Sequence, residues 1–115
     1  MEEQATSAAE ILPLSDLGYH ALVALGADVL HGYALGQRIS ELSDGRLRPT
    51  TGALYQLIRR YLELGVLERV DPPAGMGGDA RRQFFAITSL GREVRVLETE
   101  RLRAIVHRAR ALDAG

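Results

Sequence analysis

Residues Arg48–Arg69 read RPTTGALYQLIRRYLELGVLER, and this stretch decides the fold. The pattern predicts a helix that opens at Thr50 or Thr51, whose hydroxyl can accept a hydrogen bond from a first-turn N–H. Pro49 limits extension of a helix from the N-terminal side, and Gly65 stands where a left-handed cap would end it. On a helical wheel, Leu54, Leu57, Ile58, Tyr61 and Leu64 share one face, with Leu62 at its edge. Gly52, Tyr55, Gln56, Arg59, Arg60 and Glu63 fall on the other. Two arginines, a glutamine and a tyrosine on one face can reach phosphates or base edges. The small residues before them let the helix end approach a surface, where free N–H groups favour an anion. The alternative is a core helix with a solvated polar face.

The segments C-terminal to this helix weigh against that alternative. Val66–Val70 (VLERV) reads as a short strand and Asp71–Ala80 (DPPAGMGGDA) as an exposed loop. Arg82–Thr88 (RQFFAIT) reads as a second strand, with Arg81 and Arg82 at its start. The two strands make a hairpin. Thr88-Ser89 then caps a last helix running from Leu90 to about Leu112. Its apolar positions are Leu90, Val94, Leu97, Leu102, Ile105, Val106, Ala109 and Leu112, with a slip in spacing between Leu97 and Leu102. This helix is longer than a three-helix core requires. That predicts a dimer interface through Val94, Leu97, Leu102, Ile105, Val106, Ala109 and Leu112. The alternative is that it packs back on its own chain.

Working outward to the N-terminal side, residues 1–13 carry little pattern and are expected to form a flexible arm, with room for a short helix over Ala8–Leu12. A first helix is predicted from Ser15 or Asp16 to about Ala27, with Leu14, Leu22, Leu25 and Val29 as candidates for its buried side. His31-Gly32-Tyr33 reads as a turn. A second helix is predicted from Tyr33 to Leu42, with Leu35, Ile39 and Leu42 on one face. Asp44-Gly45 is a turn signal. The expected order is three helices, two strands and a helix, with a short linker between the second and third helices. That order is a winged helix-turn-helix, the third helix acting as reader and the hairpin as wing. The fold class expected is mainly α with a small β-hairpin: a winged helix-turn-helix over 14–88 and a long C-terminal dimerisation helix over 89–115.

Composition bounds the function. A chain of 115 residues, 46% hydrophobic and 25% charged, is one globular domain. It shows no membrane-length apolar run and no secretory leader, so a cytoplasmic location is the default expectation. With no cysteine and three scattered histidines, neither a metal nor a cofactor is implied. No nucleophile elbow or phosphate-binding glycine loop points to an enzyme. The net charge is −1, but residues 1–45 hold seven acids against one Arg, and residues 46–110 hold thirteen Arg against seven acids. This asymmetry points to a surface that faces a polyanion.

The sequence also resembles a known family. Leu14-Ser15-x-Leu17, Leu22-x-x-Leu25 and His31-Gly32-Tyr33-x-Leu35 are similar to the opening of PadR-type transcriptional regulators. Thr51-Gly52-x-Leu54-Tyr55-x-Leu57, Gly65-Val66-Leu67 and Arg81-Arg82-x-Phe84-Phe85-x-Ile87-Thr88-x-x-Gly91 continue the likeness, which spans about residues 14–97. The family usually carries Tyr at the positions of Phe84 and Phe85, and Leu is common at that of Tyr61. Short members resembling this chain have one C-terminal helix that pairs across a two-fold axis. The resemblance implies a dimeric repressor of its own or a neighbouring gene, bound to a pseudo-palindromic operator in double-stranded DNA. It also implies release by a small, planar aromatic effector held near the dimer interface.

Candidate DNA contacts can be named one residue at a time. Thr50, Thr51 and Gln56 can bond phosphate or a base edge, and Gly52 allows close approach. Tyr55 is read as a phosphate or groove contact, against the alternative of a half-buried packing tyrosine. Arg59 is a DNA contact; Arg60 is either another or the partner of Glu63 or Asp44. Arg48 precedes the reader helix, Arg81 and Arg82 sit on the wing, and Tyr33 is either core or a backbone contact. For an effector, Tyr19 and His20 are the candidates. The competing function is a winged-helix module for protein–protein contact that binds no DNA.

Overall fold

The computed structural model describes residues 7–75 and 82–115. Chain order is α1 (Ala8–Ile11), α2 (Asp16–Leu25), β1 (Leu30–His31), α3 (Gly32–Leu42), α4 (Thr51–Leu64), β2 (Leu67–Val70), β3 (Phe84–Ile87) and α5 (Ser89–Ala114). Side-chain oxygens set most helix starts. Ser15, Thr50 and Thr88 accept from the N–H groups of Gly18, Ala53 and Gly91, each three residues on. These bonds satisfy donors that a helix cannot satisfy internally. Gly65, at φ 79°, ends α4 in the left-handed conformation expected there.

The helix-turn-helix and hairpin form as the sequence predicts, with three corrections. First, residues 7–13 are not a free arm. Ser7 and Glu10 close a reciprocal capping box on α1, Ala8 is buried, and α1 packs on α5. Residues 1–6 lie outside the described residues. Second, α2 stops at Leu25 rather than Ala27, because Gly26 turns the backbone at φ 57°. Third, His31 is not simply part of a turn. It pairs with Phe84, and Leu30 with Phe85, so a third strand joins the hairpin in the antiparallel order β1-β3-β2. Two residues are too short a run for period-two alternation to reveal.

The core lies where α2, α3, α4 and the sheet meet. Leu22, Leu25, Leu35, Ile39, Ile58, Val66, Phe85 and Val94 are at most 2% exposed. Removing each such side chain from water stabilises the fold by about 1.5–3 kcal/mol before entropy is charged against it. Tyr61 joins this core, and burial pushes its phenol up to about 12. Its hydroxyl fills the space beside Gly18, so a β-carbon at position 18 has no room. Leu42, placed on the buried face by spacing, is 47% exposed because α3 ends there.

Helix α5 divides in two. Gly91, Val94 and Glu98 are its buried residues, one per turn, and all face the chain's own domain. Val94 therefore belongs to the protomer's core and is not available to a partner, which corrects its assignment to a dimer interface. Beyond Thr99 every residue except the half-buried Leu102 is exposed.

Candidate nucleic-acid interface

Helix α4 turns Leu54, Ile58 and Tyr61 into the core and leaves Thr51, Gly52, Gln56, Arg59 and Arg60 exposed. The first of these stand on the opening turns, where free N–H groups and the helix dipole favour an anion. The Thr50 hydroxyl is engaged as the cap, accepting from Ala53 N–H at 3.1 Å. Nothing in the chain approaches Gly52: a β-carbon there would meet no atom within 4 Å. Among the described residues Arg60 forms no ion pair with Glu63 or Asp44, and it lines a cleft beside Leu57 and Tyr61.

An open groove of about 460 Å³ separates α3 from the start of α4. It brings together four expected contacts, Tyr33, Arg48, Thr51 and Tyr55. Tyr33 is 71% exposed, which settles that it is not a core residue. Tyr55 is half-buried, its ring set against Gly32 where a β-carbon would otherwise sit. That is the packing alternative, combined with a place on the groove wall. Arg48 donates from Nε to the Gly45 carbonyl at 3.0 Å, so its head is held over the linker turn. Gln37 and Ser40 also line the groove and were missed from sequence. Gln37 donates from Nε2 to the Tyr33 hydroxyl at 2.8 Å. Its signal was the spacing of four from Tyr33, which puts both on one helix face.

The wing strand β3 pairs with β1, which leads directly into α3. Arg82 is exposed just before β3, while Arg81 lies outside the described residues. His31 connects wing and helix pair. Its ring meets Phe84 edge-on at 5.4 Å and its Nδ1 accepts from Ala34 N–H at 3.2 Å, capping α3. Burial, and then the charge of Arg82, hold this imidazole below its ordinary 6.5. The linker between α3 and α4 is tied back to α2: Arg46 donates to the Asp16 carboxylate at 2.7 Å and holds it below the usual carboxylate range.

The two effector candidates separate. The Tyr19 hydroxyl is hydrogen-bonded to Thr99, on the wall of an open cleft of about 380 Å³ shared with Leu102, Val106 and His107. The cleft does not include His20, whose Nδ1 lies 2.8 Å from the Asp16 carbonyl oxygen. Among the described residues no cluster of three or more metal-ligating side chains occurs, and no helix is long and apolar enough to cross a membrane.

Helix pair, exposed α4 face and hairpin together define a winged helix-turn-helix of the transcription-regulator class. The sequence matches the model of the transcriptional regulator PadR-like family over residues 21–96. The chain belongs to that family, whose members are transcriptional regulators and not enzymes. No curated protein matches the sequence. The fold is similar to that of a PadR family transcription regulator from hypervirulent Clostridium difficile R20291, at TM-score 0.69 and 13% identity over 88% of this chain and 100% of that one. A transcriptional regulator from Clostridium thermocellum matches at TM-score 0.67 and 17% identity, over 83% of this chain and 87% of that one. Bacillus subtilis PadR, solved in complex with operator DNA, matches at TM-score 0.58 and 17% identity, over 72% of this chain and 46% of that one.

Proposed function

We propose that the protein is a dimeric, sequence-specific DNA-binding repressor of its own or a neighbouring gene. The observation that carries this reading is the bare N-terminal face of α4. Thr51, Gly52, Gln56 and Arg59 are exposed while Leu54 and Ile58 anchor the same helix. Inserted in a major groove, that face presents an amide and a guanidinium to base edges. Tyr33, Arg48 and Tyr55 on the groove wall, with Arg60 of α4, Arg82 before β3 and, from its place in the sequence, Arg81, supply contacts to the backbone. The operator complex of Bacillus subtilis PadR supports double-stranded DNA as the ligand.

The exposed apolar positions of α5 support a homodimer. Leu97, Ile105, Val106 and Leu112 are 38%, 53%, 47% and 82% exposed, an arrangement that water disfavours unless a second copy covers it. Two copies related by a two-fold would present their reader helices to half-sites about 34 Å apart or a multiple of that. The cleft at Tyr19 opens beside this same face, and a small aromatic effector bound there would act by favouring one arrangement of the two copies.

The test is footprinting of the DNA upstream of the protein's own gene over a salt series. A protected two-fold site is expected, with a slope corresponding to roughly 6–10 phosphates per dimer. Arg59→Ala should weaken operator binding about tenfold or more. A confirmed dimer that ignores duplex DNA at low salt would favour a protein-contact module instead.

A further inference from the structure

Glu98 is the one charged side chain buried in the described core, at 1% exposure. It is also the last fully buried residue of α5, placed where the helix leaves the domain. Both carboxylate oxygens are used. Oε2 accepts the Leu14 backbone N–H at 2.9 Å, and Arg101 closes a fork on the group, Nε to Oε1 at 2.6 Å and Nη2 to Oε2 at 2.9 Å. Leu14 immediately precedes Ser15, the cap of α2. One residue further along α5, Thr99 is bonded to Tyr19 of α2. At this level, then, two adjacent residues of α5 are tied to the chain around the start of α2. The reader helix meets α2 close by, where the Tyr61 hydroxyl rests against Gly18.

Burying a carboxylate costs solvation; a leucine of similar volume would spare that cost but leave the Leu14 N–H without its acceptor. What the carboxylate adds is direction. Apolar surfaces tolerate small rotations, whereas a hydrogen bond from the fixed Leu14 N–H weakens steeply off its axis, and Arg101, three residues along the same helix, holds the carboxylate in the orientation that accepts it. Direction matters here because α5 is a lever. The fourteen steps from Glu98 to Leu112 span about 21 Å at 1.5 Å per residue. Tilting that arm by about 10° would displace its tip by about 4 Å, comparable to the 3.4 Å step of one base pair.

We propose that Glu98 is a positioning residue: steadied by Arg101 of its own helix and bonded to the Leu14 N–H of the domain, it fixes the angle at which α5 leaves the domain and so sets the half-site spacing the dimer accepts. This rests on the dimeric DNA-binding reading.

The experiment begins with selection of a two-site duplex for the wild-type protein from random DNA. Affinities are then measured for duplexes whose half-sites are moved together or apart in single base-pair steps. Wild type should lose affinity about tenfold or more at one step from its optimum. Glu98→Leu, shown to be folded and dimeric by circular dichroism and sedimentation, should bind neighbouring spacings within about threefold of each other. The double variant Glu98→Gln with Arg101→Gln restores neutral hydrogen bonding and should recover part of the discrimination. A Glu98→Leu dimer that keeps the wild-type optimum at uniformly lower affinity would overturn the proposal. Should Glu98→Leu not fold, Glu98→Met, which keeps the length of the side chain without an acceptor for the Leu14 N–H, carries the same test. An unchanged spacing profile in that variant overturns the proposal equally. Wild-type protein that selects no two-site duplex would instead overturn the operator reading, and this proposal with it.

Discussion

At the scale of single residues, His31 and Gly52 carry the sharpest expectations. The His31 Nδ1 can cap α3 only while it is unprotonated, since a protonated ring has no acceptor left. Its folded-state pKa lies below the unfolded value, so the native protein binds fewer protons. The stability it contributes is therefore present above the ordinary imidazole pKa and is lost as pH falls from there through the folded value. Thermal melts at falling pH should show this loss, worth up to about 0.5–2 kcal/mol, the contribution of a helix cap. His31→Asn retains an acceptor and should flatten that segment of the profile. Gly52 presents the opposite case. It has helical backbone and empty surroundings, so nothing in the chain requires a glycine there. Gly52→Ala should raise stability by roughly 0.5–1 kcal/mol. If the close approach to DNA is what uses the missing β-carbon, the same variant should bind operator several-fold less tightly. A variant that gains stability at unchanged affinity would return Gly52 to ordinary turn chemistry.

At the scale of elements, α4 and α5 differ in how openly their roles were written. The apolar and polar faces of α4 emerge from spacing alone because one helix face meets one core. Its Thr and Gly boundaries are local chemistry and fall within a residue of expectation. Helix α5 serves two environments in succession, and a single wheel cannot represent both. The slip between Leu97 and Leu102 is where the face buried against the domain ends and the exposed stripe begins. Glu98 lies in that gap, and reads as surface charge until Leu14 is seen to donate to it. The packing of Gly18 against Tyr61 was hidden in the same way. Gly18→Ala should destabilise α2 against α4 by about 1–3 kcal/mol, measurable by denaturant titration, because the phenol must move to admit the methyl group.

At the scale of the whole molecule, the net charge of −1 conceals a chain whose first 45 residues are acidic and whose residues 46–110 are arginine-rich. Asp16–Arg46 and Asp28–Arg38 pair some of those acids with basic residues of the helix-turn-helix, at 2.7 and 2.6 Å. Such exposed pairs contribute little to stability. The dimer is tested at this scale too. Ile105 is 53% exposed within the protomer, so Ile105→Glu should leave the fold intact while shifting sedimentation to monomer and reducing operator affinity. Persistence of the dimer would locate the contact on another face.

The amino-acid sequence by itself determined the order of the main elements, the caps, the exposed face of α4 and the family, because these depend on local periodicity and on motifs whose parts lie close along the chain. Tertiary structure alone decided the rest. Strand β1 exists only because β3 passes beside it, and Val94 is core only because α5 first turns inward. Tyr33 and Arg48 face one groove only once α3 and α4 cross. Glu98 acquires its role from a backbone N–H 84 residues away. Each of these is a contact between distant segments, and no spacing within one segment encodes where another will lie.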